Sequence, residues 1–339
     1  MTQAVAAEPS ATAQAGGPAP EIRRTRIEGP DVWTAASVGG KEGLKYPLSA
    51  KHLAAIDALL AATRHKPIQA VTRAEFSHPD LDPMLAEVFD ILQHGRGALV
   101  ITGITPEKYD AEAMERIYWG FGTHWGEAIV QSAKGDRIGR VRFVPVGPDN
   151  PTNRAYRGND ELTLHSDSNE IVGLMCVQKA AEGGYSRLVN VLAIHNDILE
   201  MRPELLEPLY RGLPYATREA SVTGKPVTPH SVPVFGCVDG QVSCHYVREF
   251  MTRAATVLGI PFPEDLKEAL DFFDQRAKAN AVEFMLEPGE IMMVNNFTTL
   301  HARTNFKDGP GNVRDLMRHW LNVPNGRRVI PPQDRKNYA

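Results

Sequence analysis

The chain has 339 residues, 42% of them apolar and 23% charged, with a formal net charge of −4. That composition belongs to a soluble globular protein, large enough for one big domain or two modest ones. The acidic balance without a basic stripe argues against a nucleic-acid partner. No stretch reaches the ~18 uninterrupted apolar residues of a membrane span, and three cysteines (Cys176, Cys237, Cys244) make no disulfide framework, so a reducing, cytoplasmic setting is expected.

The first twenty residues are rich in Ala, Pro, Gly, Ser and Thr and lack a basic segment ahead of an apolar core. They predict a disordered tail, taken to residue 25, before a single domain over 26–339. Apolar spacing predicts helices at 48–63, with Ser49 as N-cap, at 81–94, stopped by Gly95, and at 109–122. Between the last two, "GALVITGI" (97–104) reads as a short buried strand. Residues 130–161 are rich in Gly, Pro, Asn and Arg and show no steady period, as in a functional or flexible loop. A strand is expected at 171–178, a turn at Gly183-Gly184, a strand in "SRLVNV" and a helix over 194–211 despite Pro203 and Pro208. Short strand-like pieces follow: "VPVFGCV", "QVSCHYV", "AVEFMLEPG", "GEIMMVNN" and "LMRHWLNV", with a helical insertion at 264–278. Many short strands after a helical start predict a mainly β fold with flanking helices, built as one double-sheet barrel.

His-x-Asp occurs three times. His195 and Asp197 fall on a helix, where residues two apart diverge; His78 and Asp80 flank a proline, and Asp80 reads as a helix cap. Only His165 and Asp167 sit at a strand boundary, where i and i+2 share a face. Downstream, "GEIMMVNNFTTLHARTNF" carries His301 out of a strand. Two histidines and one carboxylate leave half an octahedron open, as in non-haem Fe(II) oxygenases, although the same donors also make a catalytic zinc site. Arg314 and Arg318 share a face of the last core strand, and a buried guanidinium there calls for an anionic partner such as a dicarboxylate.

The ordered set "LHSDS", "GGYSRLVN", "VNNFTTLHARTNF" and "RDLMR" resembles the taurine/2,4-dichlorophenoxyacetate dioxygenase family, the clavaminate synthase-like Fe(II)- and 2-oxoglutarate-dependent oxygenases. The resemblance runs from "GRGALVITGI" to "RHWLNVPNGR". It implies a double-stranded β-helix, a cupin-like jelly roll, with His165, Asp167 and His301 as iron ligands. It also implies that Arg314 and Ser186 hold the distal carboxylate of 2-oxoglutarate. Arg318 matches a position that contacts an anionic group of the substrate in some relatives, and the two arginine roles could be exchanged. An intact Asp167 argues against halogenation, since halogenating relatives have Gly or Ala there. The implied reaction consumes O₂ and 2-oxoglutarate, releases succinate and CO₂ and hydroxylates a small carboxylate-bearing molecule. Desaturation, cyclisation or rearrangement are the alternatives at the same site. A zinc hydrolase and a non-catalytic jelly-roll binding protein are the readings outside it. Relatives commonly form dimers or tetramers, so a homo-oligomer is expected.

Substrate contacts are sought in Gln131 and Lys134 of "VQSAKGD", a candidate lid, in Asn159 and Glu161 just before the triad, and in Arg248 of "SCHYVREF". Trp119, Trp125 and Trp320 read as core, and Cys176 and Cys244 as buried and inert.

Overall fold

A computed structural model of the chain describes residues 21–131, 135–145, 158–167, 169–217 and 225–334. The described strands, in chain order, are β1 (Lys45–Pro47), β2 (Ala98–Thr102), β3 (Glu127–Ala128), β4 (Ile138–Val141), β5 (Leu162–His165), β6 (Ile171–Gln178), β7 (Glu182–Gly183) and β8 (Ser186–Asn190). They continue as β9 (Phe235–Val238), β10 (Gln241–Cys244), β11 (Val282–Phe284), β12 (Ile291–Asn295), β13 (Thr299–Arg303), β14 (Phe306–Lys307) and β15 (Asp315–Asn322). One sheet has the order β1-β2-β12-β6-β15-β3, with β4 also on β15; the other has the order β11-β8-β13-β5. Apart from the parallel β1–β2 pair, the pairings of both sheets are antiparallel. The two sheets form a jelly roll with helices on its outer faces.

Strand alternation builds three packing layers from one sequence rule. Val172 and Cys176 of β6, Met292 and Val294 of β12 and Leu316 of β15 meet Leu188, Val282 and Phe284 of the second sheet in the barrel interior. Their sequence neighbours Ile171, Met175, Ile291, Met293, Met317 and Leu321 turn outward. There they pack under the helices Ala50–Thr63, Asp82–Gln93 and Ala111–Trp125. Helices Val191–Met201, Leu206–Arg211, Arg248–Leu258 and Glu264–Ala279, with the β9–β10 hairpin, cover the other sheet through Val189 and Leu300. Each large apolar side chain so buried contributes about 1.5–3 kcal/mol.

Local signals explain most boundaries. Ser49 caps its helix in a reciprocal capping box with His52, and Asp110 accepts from the Ala113 N–H at the start of Ala111–Trp125. The expected 194–211 helix instead starts at Val191 and breaks before Pro203, whose ring cannot continue the α ladder; a 3-10 turn, Pro203–Leu205, bridges the break. Asp80 is not a cap: the Asp82 carboxylate takes the His78 N–H and the Ser77 hydroxyl. The stretch read as patternless contains β4, which pairs with β15. Helix Arg248–Leu258 lacked a polar N-cap to announce it. Of the expected tail, residues 1–20 lie outside the described residues; Ile22 already packs against the helical layer and Arg23 donates to the Gly240 carbonyl, so contacts begin before residue 25. Among the described residues no helix is long and apolar enough to cross a membrane.

Helix Ala111–Trp125 lies so close to β15 that a Cβ at Gly122 would sit 2.1 Å from Cε1 of His319. Gly122→Ala should therefore cost about 1–3 kcal/mol, read as a lower urea midpoint. His319 and His195 are buried, and burial pushes both imidazoles down to about 4. Between that value and the ordinary ~6.5, only the unfolded chain takes up these protons, so the stability they contribute is complete above ~6.5 and falls as pH drops toward 4. Urea midpoints should fall across that window, with a flatter slope for His195→Gln.

Candidate active site

The two histidines meet by strand pairing. Antiparallel β5 and β13 place His165 directly opposite His301, with ring centroids 4.4 Å apart. Asp167 does not lie on the strand, as i, i+2 alternation would have it, but in the turn just beyond β5. Backbone contacts clamp that turn. The Ser166 N–H donates to the Tyr246 carbonyl at 2.9 Å, and the Ser166 hydroxyl accepts from the Tyr246 N–H at 2.8 Å. The Asp167 N–H donates to Oδ1 of the buried Asn296 at 3.1 Å. Asp167 Oδ1 then lies 3.9 Å from His165 Nε2, and Oδ2 lies 3.7 Å from His301 Nε2. One donor atom from each residue fits within 4.8 Å of the others, a fit for a single cation.

Protonation suits that use. His165 Nδ1 is 2.8 Å from the Thr163 carbonyl, which can only accept, so Nδ1 carries a proton and Nε2 is the ring nitrogen turned toward the cluster. Burial pushes the His301 imidazole down to about 3, so it is neutral. Burial alone would raise the Asp167 carboxyl; His301, Arg318, His165 and the Trp320 N–H outweigh it and hold it at about 2. Two neutral imidazoles and one carboxylate are the expected donors for a divalent iron or zinc ion.

Arg314 is 4% exposed, and its Nη1 has no hydrogen-bond partner among the described residues. It lines a pocket with Ser186, Gly184, Lys179, Cys176 and Leu316. Burial and the charge of Arg303 push it down to about 10, still cationic at neutral pH. Arg303 and Arg314 flank the Phe306 ring, with guanidinium carbons 4.7 and 5.1 Å from its centroid. Arg318 is buried, stacks on the Trp320 indole at 3.7 Å and donates from Nε to Gln131 Oε1 at 2.9 Å. Trp320 Nε1 donates to Asp167 Oδ2 at 2.7 Å.

Of the expected substrate residues, Arg318 and Gln131 are brought into this network. Lys134 lies outside the described residues. Asn159 is exposed, and its carbonyl accepts from the Phe306 N–H. Glu161 does not line the interior: it is exposed and pairs with Arg187, whose strand neighbours Ser186 and Leu188 are buried. Arg248 belongs to the helical layer, where Asp271 and Asp274 hold its guanidinium. Sequence reading missed Asn296, Arg303 and the polar role of Trp320. The signal for two of them was spacing: Arg303 is two residues beyond His301 on β13, and Trp320 two beyond Arg318 on β15. Cys176 is buried, and burial pushes its thiol up to about 12, which leaves it inert.

A jelly roll with two histidines and a carboxylate gathered between its strands defines the class of non-haem metal oxygenases, once zinc chemistry is set aside by kinship. Residues 60–320 match the family model described as "Taurine catabolism dioxygenase TauD, TfdA family". The FR-33289 synthase of Streptomyces rubellomurinus is 30% identical, over 91% of this chain and 94% of that protein. A glutarate 2-hydroxylase of Pseudomonas putida is 26% identical, over 78% and 82%. The solved asparagine oxygenase in complex with Fe(II), hydroxyasparagine and succinate shares the fold at a TM-score of 0.64 and 18% identity, over 82% of this chain and 93% of that one. The chain belongs to the TauD/TfdA family. It is a non-haem Fe(II)- and 2-oxoglutarate-dependent dioxygenase.

Removing one donor should separate the site from its scaffold. Asp167→Ala should lose at least about tenfold in Mn(II) affinity, measured by EPR titration of the metal-free protein, with little change in melting temperature.

Proposed function

We propose that the enzyme oxidises a C–H bond of a small anionic molecule, with His165, Asp167 and His301 holding Fe(II). Arg314 and Ser186 take the distal carboxylate of 2-oxoglutarate, and Arg318 takes the anionic group of the substrate. The observation that carries this reading is the buried Arg314 Nη1, which has no hydrogen-bond partner among the described residues, on a residue that lines a pocket with Ser186. An unpaired buried cation costs several kcal/mol, and a two-pronged carboxylate contact removes that cost. Bound iron supplies O₂ activation coupled to oxidative decarboxylation of 2-oxoglutarate to succinate and CO₂.

The protein's own residues do the rest. His165 and His301 offer neutral nitrogens, and Asp167 offers the single negative charge. The interior lined by Val172, Leu188, Val294 and Leu316 keeps water from the reacting centre. Hydroxylation fits the relative named for glutarate hydroxylation; the 30%-identical relative is named as a synthase, which supports a place in a biosynthetic sequence and keeps desaturation or ring closure as a second outcome. Product mass separates them, a gain of one oxygen against a loss of two hydrogens. The three free, buried cysteines support work in a reducing compartment such as the cytoplasm.

Anaerobic Fe(II) plus 2-oxoglutarate should give a weak visible charge-transfer band. Arg314→Met should raise the 2-oxoglutarate Kd by about 30-fold or more, from a loss of about 2–5 kcal/mol. At saturating Fe(II), Arg318→Met should spare that Kd and raise KM for an anionic substrate. The reverse pattern would exchange the two arginine roles, and no band with wild type would refute the reading.

A further inference from the structure

We propose that Trp320 is a positioning residue for the metal-binding carboxylate, held in place by Arg318 and Gln131. This rests on the triad reading given above. The indole N–H donates to Oδ2 of Asp167 at 2.7 Å, and no other side-chain donor reaches that carboxylate among the described residues. That bond holds one carboxylate oxygen and so fixes the orientation in which Asp167 faces His165 and His301.

The indole cannot hold that pose by its N–H alone. Its ring face carries the Arg318 guanidinium at 3.7 Å, a stacked cation–π contact. Arg318 is fixed in turn by Gln131, whose Oε1 accepts from Nε at 2.9 Å while its Nε2 donates to the Arg318 and Arg137 carbonyls at 3.0 and 2.9 Å. The cross-strand neighbour of Arg318 is Gly139, where a Cβ would sit 2.5 Å from Gln131 Oε1. A larger residue there would push the Gln131 amide out of its present place. The column Gln131–Arg318–Trp320–Asp167 thus runs from Gln131 to the carboxylate through direct contacts.

The test uses full-length metal-free protein with Mn(II) as probe, followed by EPR. Wild type should bind. Trp320→Phe keeps an aromatic ring for Arg318 but has no N–H, and should bind about 10- to 100-fold more weakly at an unchanged melting temperature, the usual loss when a ligand's hydrogen-bond partner is removed. Trp320→His places Nε2 where the indole Nε1 lies and should recover part of that loss. Gln131→Leu retains every charge, so simple electrostatics leaves Mn(II) affinity unchanged, whereas the column predicts a severalfold drop. Wild-type affinity in both Trp320→Phe and Gln131→Leu would overturn the proposal. Failure of wild type to bind Mn(II) would instead refute the triad. Should Trp320→Phe not fold, the wild-type indole ¹⁵N–H signal absent from Trp320→His decides: it must shift on saturation with Zn(II), and a signal that stays put overturns the proposal.

Discussion

The site depends on the register between β5 and β13. Pairing His165 with His301 brings two imidazoles together across one rung of an antiparallel ladder, so no loop has to be fixed to align them. A one-residue slip would send one ring to the opposite face of the sheet. The register is itself protected, because β13 also pairs with β8 over five residues and Leu300 is buried under the helical layer. The only ligand candidate outside a strand is Asp167, and its turn is tied at both ends, by Tyr246 through Ser166 and by Asn296. Hydrogen bonds from the Tyr246 and Asp167 backbone N–H groups to the Ser166 and Asn296 side chains thus fix geometry that a free loop would leave open.

β15 does comparable work along its length. Its even-numbered side chains, Leu316, Arg318 and Trp320, face the barrel interior, and its odd-numbered Met317, His319 and Leu321 face the helices. One strand therefore carries part of the outer core and part of the site. That is also why Gly122 matters at a distance: crowding His319 presses on the strand that holds Arg318 and Trp320.

Strand positions and the two histidines were legible because they follow local rules, alternation and turn residues, and because the ordered motifs resemble a known family. What was not legible depends on tertiary partners. Glu161 and Arg187 look no different in sequence from pocket residues; only the face of β8 shows that they point away. Arg248 could have served a substrate, but Asp271 and Asp274 of a neighbouring helix claim it. Trp320 read as core since a tryptophan within an apolar strand usually is; its N–H found a carboxylate 153 positions earlier, which no local pattern signals. The Gln131 assignment rested on loop position, whereas its contact with Arg318 comes from β4 lying beside β15, a strand the sequence did not announce.

The charge balance of the interior orders these parts. Arg303, Arg314 and Arg318 are all buried; the acids facing them include Asp167 of the triad and the buried Asp315, which already pairs with Arg140 and Arg142. A divalent cation adds further positive charge. Like charges within one low-dielectric interior repel unless anions enter, so 2-oxoglutarate, itself an anion, offsets the charge that bound iron adds. Arg314 and Arg318 sit in different surroundings, Arg314 beside Ser186 and Phe306, Arg318 beside Trp320 and Gln131, so the interior offers two separate cationic positions.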